Sequence, residues 1–373
     1  MNQSQQFENN PPWTESPNDL AMDALCEKLR RLSNSCQSDS LTSVADWPAE
    51  QLELIGQAGV YRWFVPSALG GLEWSSADIV AGYIRLSAAC LTTTFIVTQR
   101  VAALKRICSS TNIELRERLL PDLLEGKHGA TVGISHLTTS RQHMKQPVLR
   151  ASPEADGYRV DGFSPWVTGA SGAAMLVMGA ELNDGKQILF AIPADSDGIT
   201  IDPGFRLVAL SASQTGRVGC EAVLVGSQHL IAGPRENVLA SLSSGSATGG
   251  FQTSSLALGL SKCAIDFIGS ESENRSDLSA THRALENQFL ELEGRLKQLA
   301  SGIPVCTNEE IRSEANSLVL RATQSALVAA KGTGYVAGHP VGRWCQEALF
   351  FLVWSCPQSV LEANLCELAG IES

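Results

Sequence analysis

The sequence predicts an α+β protein in which an N-terminal helical domain, a middle antiparallel β-domain and a C-terminal four-helix bundle follow one another. Two observations support this fold class. In the first and last thirds of the chain, apolar residues recur every three or four positions, as on one face of a helix. In the middle third, short runs of β-forming residues are separated by Asp-Gly dipeptides, which are typical of turns between strands.

The changes of pattern also predict the domain boundaries. Residues 1–19 are polar and proline-containing and lack the basic start and apolar core of a secretory signal, so we expect a disordered tail and a cytoplasmic protein. The helical domain is expected over 20–129, the β-domain over 130–231 and the bundle over 248–373.

Composition excludes several classes of protein. The chain has 373 residues, and its 28 basic and 39 acidic residues give a net charge of −11, so a nucleic-acid partner is not expected. No apolar run approaches the ~20 residues of a membrane span. The 10 cysteines and 6 histidines are scattered without ligand spacing, so we predict reduced thiols and no metal site.

Within the first domain, one predicted helix ends at Gly126, and an irregular connection is expected over 64–72 because proline and paired glycines interrupt a helix there. The apolar positions that indicate helices in this domain are Ile79, Val80, Tyr83, Ile84, Leu86, Leu119, Leu120, Leu123 and Leu124. In the β-domain, the turns are predicted at Asp156-Gly157, Asp184-Gly185 and Asp197-Gly198.

In the last domain, a first helix is expected to end with Gly269 as its C-cap, and a third helix is expected from Asn308 to Lys331. Between them, five apolar residues alternate four and three positions apart, which indicates a seam for long packed helices. These are Leu285, Phe289, Leu292, Leu296 and Leu299. This seam and the apolar stretch 348–354 offer more surface than one bundle needs to bury, so we expect a homodimer or homotetramer.

Four short segments occur in an order that resembles the acyl-CoA dehydrogenase family, over about residues 20–367. They are Val65-Pro-Ser-Ala-Leu-Gly-Gly71, Leu120-Pro-Asp-Leu-Leu-Glu-Gly126, Gly157-Tyr-Arg-Val-Asp-Gly162 with Trp166-Val-Thr168, and Gly332-Thr-Gly-Tyr335 with His339-Pro-Val341. The resemblance implies FAD between the β-domain and the bundle, a small-molecule substrate such as a CoA thioester, and a glutamate that removes the α-proton while hydride passes to the flavin.

The resemblance also implies individual flavin contacts. Trp166 and Thr168 match a tryptophan beside the flavin ring and a threonine that donates to it, and Thr138 matches the threonine of the family's flavin loop. A core tryptophan and an ordinary strand threonine are the alternative interpretation of the first two. The rest of that loop differs, because its glycines are replaced in Thr139-Ser-Arg-Gln-His-Met144.

The residues that make the family's contacts to the FAD diphosphate are only partly retained in this sequence. Arg275 matches an arginine that binds the FAD pyrophosphate across a subunit boundary, although nearby acidic residues offer it a purely local role. Gly332 and Gly334 match glycines that approach the dinucleotide, although a helix end also favours glycine. The family's glutamine and one of its glycines are missing here.

The main departure is at the position of the catalytic glutamate, which is Ser355 in this chain. A serine hydroxyl is too weakly basic to remove an α-proton unaided. Three functions therefore stay open: a flavin oxidoreductase acting on an acyl thioester or a similar substrate, a monooxygenase that uses reduced flavin, and a cofactor-free homologue that binds or assembles. The flavin is expected to be FAD, with FMN and weak or absent binding as alternatives.

Overall fold

The computed structural model describes residues 13–35, 46–138, 148–240 and 250–371. The N-terminal domain consists of helices α1 (Leu20–Ser35), α2 (Ala49–Gln57), α3 (Ser76–Ala89), α4 (Leu91–Cys108) and α5 (Ile113–Glu125). Helix α5 ends at Gly126 with a φ of 69°, so the predicted helix end is confirmed. The irregular connection over 64–72 is also confirmed, since residues 60–64 and 67–69 form only short 3₁₀ helices.

The prediction of a disordered tail was wrong for residues 13–19. Thr14 is fully buried; its hydroxyl donates to the Ala58 carbonyl at 3.0 Å and accepts from the Trp63 indole at 2.8 Å. The Trp13 ring lies under the Arg62 guanidinium at 4.2 Å. These contacts join the segment to α2 and the 3₁₀ helix after it, which a count of its polar residues does not reveal. Residues 1–12 lie outside the described residues.

The middle domain contains strands β1 (Ala130–Gly133), β2 (Leu149–Glu154), β3 (Gly157–Val167), β4 (Met175–Glu181), β5 (Gln187–Pro193), β6 (Ile199–Ile201), β7 (Gly216–Val225) and β8 (Leu230–Arg235), with a short helix α6 (Ser135–Thr138) after β1. The strand order is β6-β7-β3-β2-β4-β5-β8, with β1 beside β4. The sheet is mixed rather than purely antiparallel, because β4 pairs in parallel with β1 and, at one residue pair, with β2.

The sheet has two apolar faces. Side chains such as Val177 on β4 and Leu189 on β5 belong to the large core shared with the helices. Their sequence neighbours Leu176 and Phe190 belong to a second core inside the β-domain. This alternation follows from the two-residue period of a strand.

The C-terminal domain consists of α7 (Gly250–Ser272), α8 (Ser279–Ala300), α9 (Asn308–Ala330), α10 (Pro340–Ala348) and α11 (Gln358–Ala369). Helix α7 packs against α8, α9 and α10, which confirms the helical bundle, and against α3 of the first domain. In the described residues, no helix combines the length and the apolar character that crossing a membrane requires.

Two expectations about this bundle were wrong. Helix α7 continues through Gly269 to Ser272 instead of ending there. A methyl group at Gly269 would lie 2.8 Å from Nε2 of His282, so the glycine allows α8 to pack closely. The seam on α8 is not free for a second copy, because four of its five residues are buried within the single chain: Leu285, Phe289, Leu292 and Leu296.

Candidate functional site

Strand β3 carries an irregularity at the residues that match the flavin-ring motif. Ser164 pairs with Val218 and Val167 pairs with Gly216, so Pro165 and Trp166 together face Arg217 of β7. This is a β-bulge, which changes the direction of a side chain. Trp166 remains 49% exposed, and its ring meets that of Phe205 edge to face at 5.0 Å, with Phe205 41% exposed. The bulge therefore presents an aromatic pair on the surface of the β-domain.

Two residues after Trp166, Thr168 takes part in a buried row of hydroxyls. Thr168 Oγ1 lies 2.9 Å from Thr215 Oγ1, which lies 2.8 Å from Ser213 Oγ. The Thr168 carbonyl accepts a hydrogen bond from the Thr131 hydroxyl at 2.6 Å. The three hydroxyls carry three protons, and the two hydrogen bonds between them use two of these. One hydroxyl proton is therefore free to be donated to another group. When Ser213 donates to Thr215 and Thr215 donates to Thr168, the free proton is on Thr168.

Helix α6, which ends at Thr138, lies in the same corner. His136 Nε2 is 2.8 Å from the Gly179 carbonyl of β4, and its Nδ1 is 3.5 Å from Ser164 Oγ on β3. Burial lowers the pKa of His136, and the carbonyl contact acts in the opposite direction. A carbonyl only accepts, so Nε2 carries the proton. These contacts hold α6 against β4 and against Ser164 of β3. Residues 139–144 of the altered loop lie outside the described residues.

The other three predicted contacts form a second group at the end of α9. Arg275 donates to the Ala329 carbonyl at 2.6 Å, and its guanidinium lies 3.5 Å from Asp277 and 4.0 Å from Glu271. The arginine thus binds the last turn of α9 and two local carboxylates. Helix termini leave carbonyls without intrahelical partners, so this contact has a structural purpose of its own.

The two glycines of this group differ in their surroundings. A methyl group at Gly334 would lie 2.7 Å from Ala330 Cβ, so a close contact requires glycine there, whereas Gly332 faces open space. The left-handed backbone lies at Lys331, with a φ of 57°. Lys331 stands where the family has its missing glycine, and a side chain is disfavoured in this conformation. The Gly332 backbone therefore remains accessible to a ligand, but the turn before it is strained.

Ser355 lies in the turn after α10 and is half buried, with a φ of 45°. Its neighbour Trp354 stacks on Phe350 at 4.9 Å, and both rings meet the edge of Phe95 on α4. These rings form an apolar wall beside Ser355. The one acidic residue of the segment 339–356 is Glu347, which is buried beside Arg343, with 3.7 Å between the carboxylate and Nε.

A buried arginine holds the backbone of this segment. Arg312 on α9 is 5% exposed and donates to the Trp354 carbonyl at 2.6 Å. Its Nε donates to Asn316, which in turn donates to the Phe351 carbonyl at 3.1 Å. Burial lowers the pKa of Arg312 to about 10, so the guanidinium stays charged at neutral pH. The turn that carries Ser355 is thus held by a cation and an amide.

Several residues of these surroundings were not identified from the sequence: Phe205, Ser213, Thr215, Arg217, Phe95 and Arg312. Ser213 ends a 3₁₀ helix and Thr215 precedes β7, so no helix or strand period in the sequence indicates that they meet. No motif in the neighbouring sequence marks Phe205, Phe95 or Arg312 as part of a site. Among the described residues, no group of three or more His, Cys, Asp or Glu is arranged to hold a metal ion.

No protein-family model matches the sequence, and no curated protein matches it. Solved structures are similar over nearly the whole chain. A glutaryl-CoA dehydrogenase in complex with glutaryl-CoA has a TM-score of 0.76 at 14% identity and covers 95% of this chain and 96% of its own. A nitrososynthase from Micromonospora carbonacea var. africana has a TM-score of 0.73 at 18% identity and covers 94% of each chain.

A third similar structure is KijD3 in complex with FMN and a dTDP-linked sugar, with a TM-score of 0.71 at 16% identity, covering 94% of this chain and 93% of its own. The chain therefore has the acyl-CoA dehydrogenase fold, as its motifs predict. The proteins that share this fold include a dehydrogenase of a CoA thioester and an FMN-bound protein complexed with a nucleotide sugar.

Proposed function

We propose that the protein is a flavin-dependent oxidoreductase whose flavin ring lies against Trp166. The half-exposed pair of Trp166 and Phe205, with the hydroxyl of Thr168 two residues along the chain from Trp166, is the observation that carries this proposal. Exposed aromatic side chains bind flat rings by dispersion and apolar contact. The flavin, when bound, supplies the electron transfer. An FMN-bound KijD3 and an FAD-dependent dehydrogenase have the same fold, which supports the choice of cofactor class.

In this proposal, Thr168 donates to the ring and the two hydroxyls behind it set the direction of that donation. If Ser213 donates to Thr215 and Thr215 donates to Thr168, the remaining proton is on Thr168. A ligand that places a hydrogen-bond acceptor near the Thr168 hydroxyl favours this direction of the two hydrogen bonds. Thr215 is then a positioning residue that acts through Thr168.

Replacing either threonine tests this arrangement. We expect Thr168→Val and Thr215→Val to bind FMN and FAD about tenfold more weakly than the wild type, because each removes a hydrogen-bond partner of a buried polar group. Fluorescence titration at equal thermal stability is the measurement. Thr200→Val, an exposed change on β6, is the matched control and should leave the affinity unchanged.

The flavin titrations distinguish a flavin-binding enzyme from a cofactor-free homologue. Unchanged affinity in both variants would mean that Thr168 has only a structural role. If the wild type binds neither flavin, the protein is instead the cofactor-free homologue, and the aromatic pair serves another ligand.

For the reaction class, we propose a chemistry that does not use a carboxylate at position 355. Among the described residues, the side chains found against this turn are apolar rings, Asn364 and the charged Arg312, and none of these is a base for the hydroxyl of Ser355. This observation favours a second candidate function, oxygenation of a small molecule by reduced flavin and dioxygen. That reaction needs no base at this position, whereas acyl-CoA dehydrogenation does.

A direct assay distinguishes the two reactions. With bound flavin and an artificial electron acceptor, we expect negligible oxidation of saturated acyl-CoA thioesters of any chain length, because no group at position 355 removes the α-proton. Rapid turnover of such a thioester would contradict the proposal and would require a base elsewhere in the chain.

We also propose that two copies pair through the last helix. Helix α11 exposes Leu361, Leu365 and Leu368, spaced four and three positions apart on one face, and Ile371 follows them. Leu365 is 59% exposed and Leu368 63% exposed, and an apolar helix face of this kind is usually covered. A second copy covers it in this proposal, in place of the α8 seam.

The change Leu365→Glu is expected to convert dimers or tetramers to smaller species, because two copies would each bury a carboxylate. Sedimentation velocity at micromolar concentration measures this. Glu362→Gln, on the polar side of the same helix, should leave the assembly intact. A wild-type protein that stays monomeric would refute this interface.

A further inference from the structure

Arg217 lies directly across from the bulge that presents Trp166. Pro165 and Trp166 face this one residue of β7, so its side chain and the indole are cross-strand neighbours. The Arg217 guanidinium lies over the Phe163 ring at 4.5 Å. Stacking on an aromatic ring holds the planar guanidinium in a limited range of positions.

Arg217 keeps hydrogen-bonding capacity for a ligand. Its side chain is 48% exposed, and its ion pair with Asp202 is long, with 3.8 Å between Nη1 and the carboxylate. An exposed pair of this kind contributes little free energy, so an incoming anion can displace it. A guanidinium has five N–H donors and binds phosphate in a bidentate manner.

By contrast, the arginine that matches the family's diphosphate contact already has hydrogen-bond and ion-pair partners within the chain. Arg275 is already bonded to the Ala329 carbonyl and flanked by Asp277 and Glu271. Its side chain is only 26% exposed, against 48% for Arg217, and two carboxylates instead of one lie beside it, so it offers a phosphate less access and less net positive charge. The neighbouring turn also has Lys331 in the backbone conformation that suits glycine.

We infer that Arg217 binds the phosphate of a flavin mononucleotide whose ring lies against Trp166 and Phe205. This inference rests on the proposed function. Ring and phosphate are then held by neighbouring strands of one β-domain, with the cation supplied by β7 instead of by the end of the bundle. FMN fits this arrangement better than FAD, because Arg275, the arginine that matches the family's contact to the FAD diphosphate, is already bonded to the Ala329 carbonyl.

The test compares FMN with riboflavin, which has the same ring and no phosphate. We expect the wild type to bind FMN at least tenfold more tightly than riboflavin, in a salt-sensitive manner. Arg217→Gln should remove that preference while leaving riboflavin affinity unchanged, and Arg217→Lys should retain part of it. The measurement is fluorescence titration with thermal stability as a check on folding.

Two further variants serve as controls. Arg159→Gln removes another exposed arginine of the β-domain, one that is paired with Asp161 on the same strand, and should keep the FMN preference. Arg275→Gln should keep it as well. A preference that survives in Arg217→Gln, or that is lost in Arg275→Gln, would overturn the inference alone. If neither flavin binds to the wild type, the proposed function fails together with it.

Discussion

Gly259→Ala is expected to destabilise the protein by about 2–3 kcal/mol, because it forces apart the two helices that join the N-terminal and C-terminal domains. A methyl group at Gly259 of α7 would lie 2.5 Å from the Ile84 carbonyl oxygen and 2.5 Å from Ser87 Cβ, both on α3. Ser87 is itself fixed, since its hydroxyl donates to the Leu256 carbonyl at 2.8 Å. A backbone oxygen inside a helix cannot move aside, so the helices must separate.

Gly294→Ala on α8 provides the matched control. A methyl group there meets nothing within 4 Å, and alanine is favoured over glycine inside a helix, so we expect stabilisation by about 0.5–1 kcal/mol. Urea unfolding of both variants, followed by circular dichroism, gives the comparison. Equal stability of Gly259→Ala and the wild type would mean that the helices do not cross this closely.

Gly71→Ala is expected to have an even larger effect and to prevent accumulation of folded protein. A methyl group at this residue would lie 1.8 Å from the Val65 carbonyl oxygen, which is far inside the contact distance. That oxygen accepts from the backbone N–H of Glu73 at 3.1 Å, so moving it also breaks the loop that returns the chain to α3. The strain exceeds the roughly 1–3 kcal/mol of ordinary overpacking.

A variant at the neighbouring glycine distinguishes the cost of a steric clash from the cost of a strained backbone conformation. Gly70 has a φ of 82°, and the nearest atom to an added methyl group is 3.6 Å away. Gly70→Ala should therefore cost only the roughly 1–2 kcal/mol of a left-handed residue with a side chain. Yield of soluble protein and thermal unfolding rank the two variants, and a more severe effect at Gly70 would contradict this account. The Gly-Gly motif is thus explained by backbone packing, without reference to a ligand.

The elements that depend on neighbouring residues were predictable. Gly126 ends α5 because a glycine after an apolar helical pattern adopts the left-handed conformation with little strain. Helix α9 begins at Asn308 behind a capping box of Thr307 and Glu310, within three residues of sequence. The same kind of rule failed at Gly269, because packing against His282, in the next helix, determines the residue there.

The sequence by itself determined the three zones of structure, the end of α5, the start of α9, the family motifs and the loss of the glutamate at Ser355. Only the tertiary structure decided which side chains share a site. It joins Trp166 to Phe205, Thr168 to Thr215, and Arg312 to the turn at Ser355, and it directs Arg275 to the end of α9. Helix periods, caps and turns follow from interactions over a few residues, whereas these contacts connect residues about 40 or more positions apart and depend on how strands and helices pack within each domain.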